Sequence, residues 1–311
     1  MARKKIGLIG AGNIGGELAN LAVNHGLGDV VLFDIPPKES FARGKALDLE
    51  QATAITGSAG SVTGTSNWAD LAGADVLIIT AGIPRKPGQS RDDLVSTNLP
   101  IIREVATRAK EHCPHAFVIV ISNPLDAMVY EYKRVVGASR AQVVGMAGML
   151  DSARFSLFLA RELGVSIKDV RAMVLGGHGD DMVPLLTYAT VDGVPVINLL
   201  PRERLDAIVQ RTRKGGGEIV QLMGTSAYYA PAAAAIAMAE AYLLDQKRLL
   251  PAAAYLEGEY GYQDLYLGVP VIIGSGGVER VVELDLTEEE HTMLAKSVTS
   301  VQKVVEIVKR T

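Results

Sequence analysis

The chain has 311 residues, enough for about two domains at roughly 100–200 residues each. Apolar residues make up 48% and charged residues 21%, which excludes wholesale disorder and leaves ample material for a core. The 31 basic and 35 acidic residues give a net charge of −4, no footprint for nucleic acid or an anionic membrane surface, and a single cysteine, Cys113, excludes an internal disulfide or a cysteine-cluster metal site and fits a reducing, cytoplasmic setting.

The N-terminal residues run straight into Ile6–Ile9, a stretch too short for a signal-peptide core, so no leader is expected. The longest greasy stretch, Tyr229–Leu244, is mostly alanine, contains Glu240 and falls short of the ~20 residues needed to cross a bilayer. Ile6–Ile9, Val30–Phe33, Val76–Ile79 and Phe117–Ile121 are near-continuously apolar and rich in Val and Ile, as strands of a parallel sheet covered on both faces should be. A shorter strand is predicted around Val62. Helices are predicted at about Gly15–His25, Ala42–Ala54 and Asp93–Glu111, and this alternation argues for a right-handed α/β sheet.

The pattern changes near residue 145. Met149–Leu163 reads as a helix and Arg171–Leu175 as a strand, and Asp192-Gly193 between apolar segments signals a hairpin. Arg202–Gln246 reads as one or two long helices, with Gly215-Gly216-Gly217 as the expected break or kink. Two strand-like runs follow, Ala252–Tyr260 and Leu265–Ile273. A last helix runs from about Glu288 to Lys309, with Thr287 as N-cap and Glu290 three residues on completing a capping box. Strands paired locally by hairpins predict an α+β second half packed against the first, giving domains at 1–145 and 146–311.

Gly10-Ala11-Gly12-Asn13-Ile14-Gly15 has the pattern G-x-G-x-x-G, and it follows an apolar strand and opens a helix. Gly10 permits the tight turn, Gly12 lets a pyrophosphate approach the backbone and Gly15 lets helix and strand pack. The helix N-terminus supplies unpaired N–H groups for phosphate. The next strand ends in Asp34, 19 residues after Gly15. An acid there can accept hydrogen bonds from both ribose hydroxyls and would repel a 2′-phosphate, so NAD is favoured over NADP.

Four further groups carry possible chemistry. Thr80 to Arg91 begins at the end of a buried strand and sets Arg85, Lys86 and Arg91 among Gly and Pro, a composition that suits a loop closing on an anion but also describes a solvated basic loop. Ser122-Asn123-Pro124 follows the strand Phe117–Ile121, where an amide can both donate and accept, although a plain turn explains it equally. Asp151 and Arg154 stand i and i+3 on a helix and so share a face. His178 lies just past a strand between glycines, in Gly176-Gly177-His178-Gly179-Asp180, open enough for proton transfer. His25, His112, His115 and His291 lack ligand spacing, Cys113 reads as an inert buried thiol and Trp68 as a packing residue.

In their order and spacing these groups resemble the lactate/malate dehydrogenase family over nearly the whole chain, and within it the members acting on malate. The resemblance implies an N-terminal Rossmann-type parallel sheet binding NAD and a C-terminal α+β catalytic domain. It implies that His178 is the acid–base, that Asp151 orients it, that Arg154 holds the substrate C1 carboxylate and that Arg91 polarises the C2 oxygen. Asn123 would bind substrate near the nicotinamide, and Asn98, Ile121, Ser122 and Asn123 match positions that contact the cofactor. Arg85 matches the specificity position of the mobile loop, usually Gln in lactate enzymes, and would pair with the second carboxylate of malate or oxaloacetate. No metal is required. A homodimer or homotetramer acting on a small molecule is implied. A lactate dehydrogenase, an NAD-dependent glycosidase of related fold and a non-catalytic NAD-binding module are the alternatives.

Overall fold

The structure is a computed structural model that describes residues 3–84 and 91–310. Six strands form a parallel sheet: β1 (Lys5–Ile9), β2 (Asp29–Phe33), β3 (Val62–Thr65), β4 (Val76–Ile79), β5 (Phe117–Val120) and β6 (Val143–Gly145), in the order β3-β2-β1-β4-β5-β6. All four residues of β4 and of β5 are buried, so their unbroken apolar runs reflect cover on both faces. The cover comes from α1 (Asn13–Asn24), α2 (Glu39–Thr56), α3 (Arg91–His112), α4 (Leu125–Val136) and α7 (Tyr229–Leu243). The alanines that make α7 so greasy are packing surface: Ala232, Ala234, Ala235, Ala239 and Ala241 are buried, and their small side chains let α7 lie against α1 and over β4 and β5. No helix among the described residues is long and apolar enough to cross a membrane.

The parallel arrangement ends at β6. There β10 (Arg248–Glu257) joins antiparallel through Ala253 opposite Gly145, and β11 (Gln263–Gly274) and β12 (Gly277–Val281) follow antiparallel, completing a nine-stranded sheet. The short connections from β10 to β11 and from β11 to β12 force the antiparallel sense of those two pairs. The strand expected over Ala252–Tyr260 is displaced toward the N-terminus, running from Arg248 to Glu257. The chain leaves β10 at Glu257 and turns between Gly258 (φ +135°) and Gly261 (φ +77°), with Tyr260 at φ +54°.

A second, smaller sheet holds β7 (Val170–Leu175), β8 (Val183–Val191) and β9 (Val194–Pro195), with Asp192 and Gly193 at positive φ in the β8–β9 turn. Its own core joins Phe155 and Leu159 of α5 (Gly148–Leu163) to Val170 and Val174 of β7 and to Leu205 and Ile208 of α6 (Arg202–Met223). The opposite side of α5 reaches the main core through Leu150. This helix therefore spans both cores, which fixes whatever its first turns carry.

The expected break at Gly215–Gly217 is absent. α6 runs through these glycines and stops at Gly224, left-handed at φ +70°. Propensity alone favours a break, but Gly215 has a packing reason: a Cβ there would lie 3.2 Å from Arg154 Cδ, whereas one on Gly217 would meet nothing within 4 Å.

The final helix, α8 (Glu288–Arg310), starts with the predicted capping box. The Glu290 N–H donates to Thr287 Oγ1 at 3.2 Å, and the Thr287 N–H donates to Glu290 Oε2 at 3.0 Å. Replacing Thr287 by Ala should lower stability by about 1 kcal/mol, read as a reduced urea midpoint; an unchanged midpoint would show that the box contributes nothing.

Candidate active site

The sheet order runs outward in both directions from β1 and β4, and ligands in open α/β sheets bind at that reversal, beyond the carboxyl ends of the strands. Gly10 turns the chain out of β1 at φ +112° and donates its N–H to the Phe33 carbonyl at 2.8 Å. A Cβ at Gly15 would lie 1.9 Å from the Gly10 oxygen, so α1 packs this close to the turn only with glycine there. A Cβ at Gly12 would meet nothing within 4 Å. Gly12 caps α1 without a side chain, and the first turn holds no acid, so the helix amides and their partial positive charge face an open surface. Ala11 is buried beneath it, Ile14 is half-buried and Asn13 is exposed.

Asp34 stands beside this turn at the end of β2. Its Oδ2 accepts the Ala11 N–H and its Oδ1 the Ile35 N–H, each at 2.9 Å. A carboxylate has about four lone-pair sites, so two bonds to the backbone orient it and leave capacity for a ligand's hydroxyls. Lys45 of α2, which sequence reasoning missed, donates to the Gly12 carbonyl at 2.7 Å. Burial pulls its pKa down against the attraction of Asp34. An open anion-binding face, uncapped amides and an oriented acid fit NAD.

The ends of β4 and β5 lie alongside. Asn98 of α3 is 1% exposed, and its amide stitches the two loops together: Oδ1 accepts the Ile83 N–H at 2.8 Å, and Nδ2 donates to the carbonyls of Asn123 at 2.7 Å and Ile83 at 3.1 Å. The Ser122 hydroxyl, also buried, donates to the Ala81 carbonyl at 2.5 Å. Ile121 is buried with it, whereas Asn123 is exposed. Asn98 and Ser122 thus hold the shelf from which the Asn123 side chain projects. Arg85 lies outside the described residues. Arg91 opens α3, and its side chain also lies outside the description.

The proton-transfer candidates converge. His178 Nδ1 lies 2.8 Å from Asp151 Oδ2, and Arg154 Nη1 donates to Asp151 Oδ1 at 3.1 Å. One carboxylate, 2% exposed, therefore serves the imidazole with one oxygen and the guanidinium with the other. The sequence neighbourhood of β7 and α5 did not show that these groups meet; the second core brings them together. Burial pushes the His178 pKa down, but the charge and hydrogen bond of Asp151 outweigh it, Arg154 opposes them and Asp126 assists, so the value is raised above the ordinary 6.5. Beside the pair lies a cleft of about 660 Å³ whose lining includes Arg154, His178, Asp180, Arg213, Lys214 and Gly216. The cations around it suit an anionic ligand.

Three elements pin the turn that presents His178. Gly176 and Gly268 of β11 exchange backbone hydrogen bonds at 2.8 and 3.0 Å. The Gly177 N–H donates to Ser297 of α8 at 2.9 Å, and the His178 N–H donates to Asp126 of α4 at 3.0 Å. Sequence reasoning missed Ser297 and Asp126. The first stands on the apolar face of a helix, which is a weak signal, and the second resembles an ordinary helix-start acid.

Two family models cover the chain. Residues 4–145 match the lactate/malate dehydrogenase NAD binding domain, and residues 148–311 match the lactate/malate dehydrogenase alpha/beta C-terminal domain. The chain belongs to the lactate/malate dehydrogenase family. Its cofactor is NAD. A malate dehydrogenase of Sorangium cellulosum is 71% identical over 307 residues, covering 99% of this chain and 98% of that one. A crystal structure of Cryptosporidium parvum malate dehydrogenase superposes with a TM-score of 0.97 at 46% identity, covering 99% of this chain and 100% of the other. A lactate dehydrogenase from the same organism, complexed with lactic acid and nicotinamide adenine dinucleotide, gives 0.96 at 44% identity, covering 100% and 99%.

In the Asp151→Asn variant the burial of His178 loses its main opponent. Its NMR titration midpoint should fall below that of the parent and below the ordinary 6.5; an unmoved midpoint would show that Asp151 does not set the imidazole's proton affinity.

Proposed function

We propose that this chain is an NAD-dependent malate dehydrogenase that interconverts (S)-malate and oxaloacetate. The observation that carries the mechanism is the single buried carboxylate of Asp151, shared between His178 Nδ1 and Arg154 Nη1. An Nδ1–H held by Asp151 leaves Nε2 as the atom that takes and returns a proton. When malate is oxidised, its C2 hydroxyl proton moves to Nε2 and Asp151 stabilises the imidazolium that forms. Bound NAD would supply the acceptor for the C2 hydride, balancing the proton that His178 takes from the hydroxyl. Arg154 binds the C1 carboxylate through its planar fork, and Asn123 hydrogen-bonds the substrate beside the nicotinamide. Arg91 polarises the C2 oxygen where charge develops.

Arg85 enters on its sequence position. It pairs with the second carboxylate of the four-carbon acid. With pyruvate it would be closed into the site without a partner, at a cost on the order of 3–5 kcal/mol for a broken buried pair, which at ~1.4 kcal/mol per decade gives 100-fold discrimination or more. The overall fold serves malate and lactate enzymes alike, as the two Cryptosporidium structures illustrate. The basic residue at position 85 and the 71% identical malate dehydrogenase favour malate. At the nucleotide end Gly10–Gly15 would hold the pyrophosphate and Asp34 the adenine ribose, and Asn98, Ile121, Ser122 and Asn123 would support the nicotinamide. The same reading takes residues 1–145 as the NAD-binding domain and 146–311 as the catalytic one, in a cytoplasmic homodimer or homotetramer.

The two directions should depend oppositely on pH. Reduction needs protonated His178, so its rate falls as pH rises through the raised midpoint; oxidation needs the neutral ring, so its rate climbs through the same midpoint. Steady-state assays of NADH formation and consumption read both, and identical profiles would remove His178 from the role. His178→Asn should retain NADH binding while losing ~10²–10⁴ in turnover, the usual worth of a positioned acid–base group. Arg85→Gln should exchange preference, losing oxaloacetate reduction and gaining pyruvate reduction; a variant that still prefers oxaloacetate would overturn the assignment of the selector.

A further inference from the structure

The turn carrying His178 rests on a carboxylate that the proposed proton transfer does not use. Asp126, in the first turn of α4, is 9% exposed and faces inward. Its Oδ2 accepts the His178 backbone N–H at 3.0 Å, and among the described residues its Oδ1 has no hydrogen-bond partner. Buried carboxylate oxygens normally find donors, so a carboxylate placed here is costly and calls for a reason. An amide or a hydroxyl could accept the same N–H without bringing the charge.

The surroundings leave little freedom. A Cβ on Gly177 would lie 2.4 Å from Val301 Cγ2 and 3.2 Å from Asp126 Oδ2, so the turn is wedged between α8 and α4. Two carboxylates thus contact one residue. Asp151 faces the ring, and Asp126 lies behind its main chain.

We propose that Asp126 is a positioning residue for proton transfer: it fixes the main chain of His178 and lends a second negative charge that favours the imidazolium form. The ionisable groups acting most strongly on His178 are Asp151 and Arg154 of α5 and Asp126 of α4, with Arg154 opposing the two acids; Asp180 of its own loop and Arg211, Arg213, Lys214 and Glu218 of α6 line the cleft it faces. The turn's other anchors, Ser297 of α8 and Gly268 of β11, carry no charge. Burial pushes the Asp126 carboxyl up to about 6, with Asp151 pushing the same way and the charge and N–H of His178 pulling it back. The ionised carboxylate raises the proton affinity of the ring.

The inference rests on the reading of His178 as proton carrier, and one set of assays separates the two. The full-length parent, Asp126→Asn, Asp126→Ser and Ser297→Ala are compared by kcat/KM against pH in both directions, with NADH affinity from fluorescence as the check on folding. Asp126→Asn should keep its affinity for NADH and move the His178 midpoint down by about half a unit or more, in both directions, as expected when a nearby opposite charge is removed. Should the asparagine variant not fold, Asp126→Ser, smaller and still an acceptor, carries the same expectation. Ser297→Ala loosens the turn but keeps both carboxylates, so kcat should fall without movement of the midpoint. An unmoved midpoint in a folded Asp126 variant would overturn the proposal, as would an equal shift in Ser297→Ala. A parent without opposite pH limbs would instead overturn the His178 reading itself.

Discussion

A carboxylate sealed from water must be partnered, and much of the site follows from how Asp151 meets that requirement. Its two oxygens are taken by two different groups, the His178 imidazole and the Arg154 guanidinium. Removing either would leave buried charge uncompensated, at several kcal/mol. The arrangement therefore couples the acid–base group to the anion-binding group: neither moves without disturbing the carboxylate between them. This coupling gives the proposed reaction its geometry, since the proton acceptor and the carboxylate clamp act on adjacent carbons of one substrate.

The fold makes that carboxylate possible by setting α5 between two cores. One flank of the helix packs with β7 and α6 and the other reaches the main sheet. Asp151 and Arg154 are thus held by packing before any ligand arrives, which is what preorganisation requires. On the nucleotide side, the stitching by Asn98 performs the same service with hydrogen bonds. It joins the loops after β4 and β5, so the two strand ends present one continuous surface. Glu131, fully buried on α4, accepts from Arg103 of α3 and from Arg134 of its own helix, locking together the two helices that follow those loops.

How much of this can be read from sequence depends on whether the signal is local. The turn from Gly10 to Gly15, Asp34 and the capping box of Thr287 and Glu290 are set by neighbours a few residues away or by one strand–turn–helix unit, and all were legible. The glycines at 215–217 misled because propensity favours a break there, whereas α6 runs through them and Gly215 leaves room for the Arg154 side chain lying against it. Asp126 and Ser297 were missed for the opposite reason. Their local settings look ordinary, and their importance arises only when helices distant in sequence close on the turn of His178. The family resemblance named Asp151 as the partner of His178, and no pattern of spacing within the chain could have done so.

In the proposed reaction His178, braced by Asp151, holds the proton that the keto acid receives. Proton uptake on binding a non-reducible keto-acid analogue to the NADH complex, in weakly buffered solution above the free-enzyme midpoint, measures this without turnover. Uptake approaching one proton per site is expected, and none in His178→Asn. Tight binding of the analogue to the parent without proton uptake would contradict it.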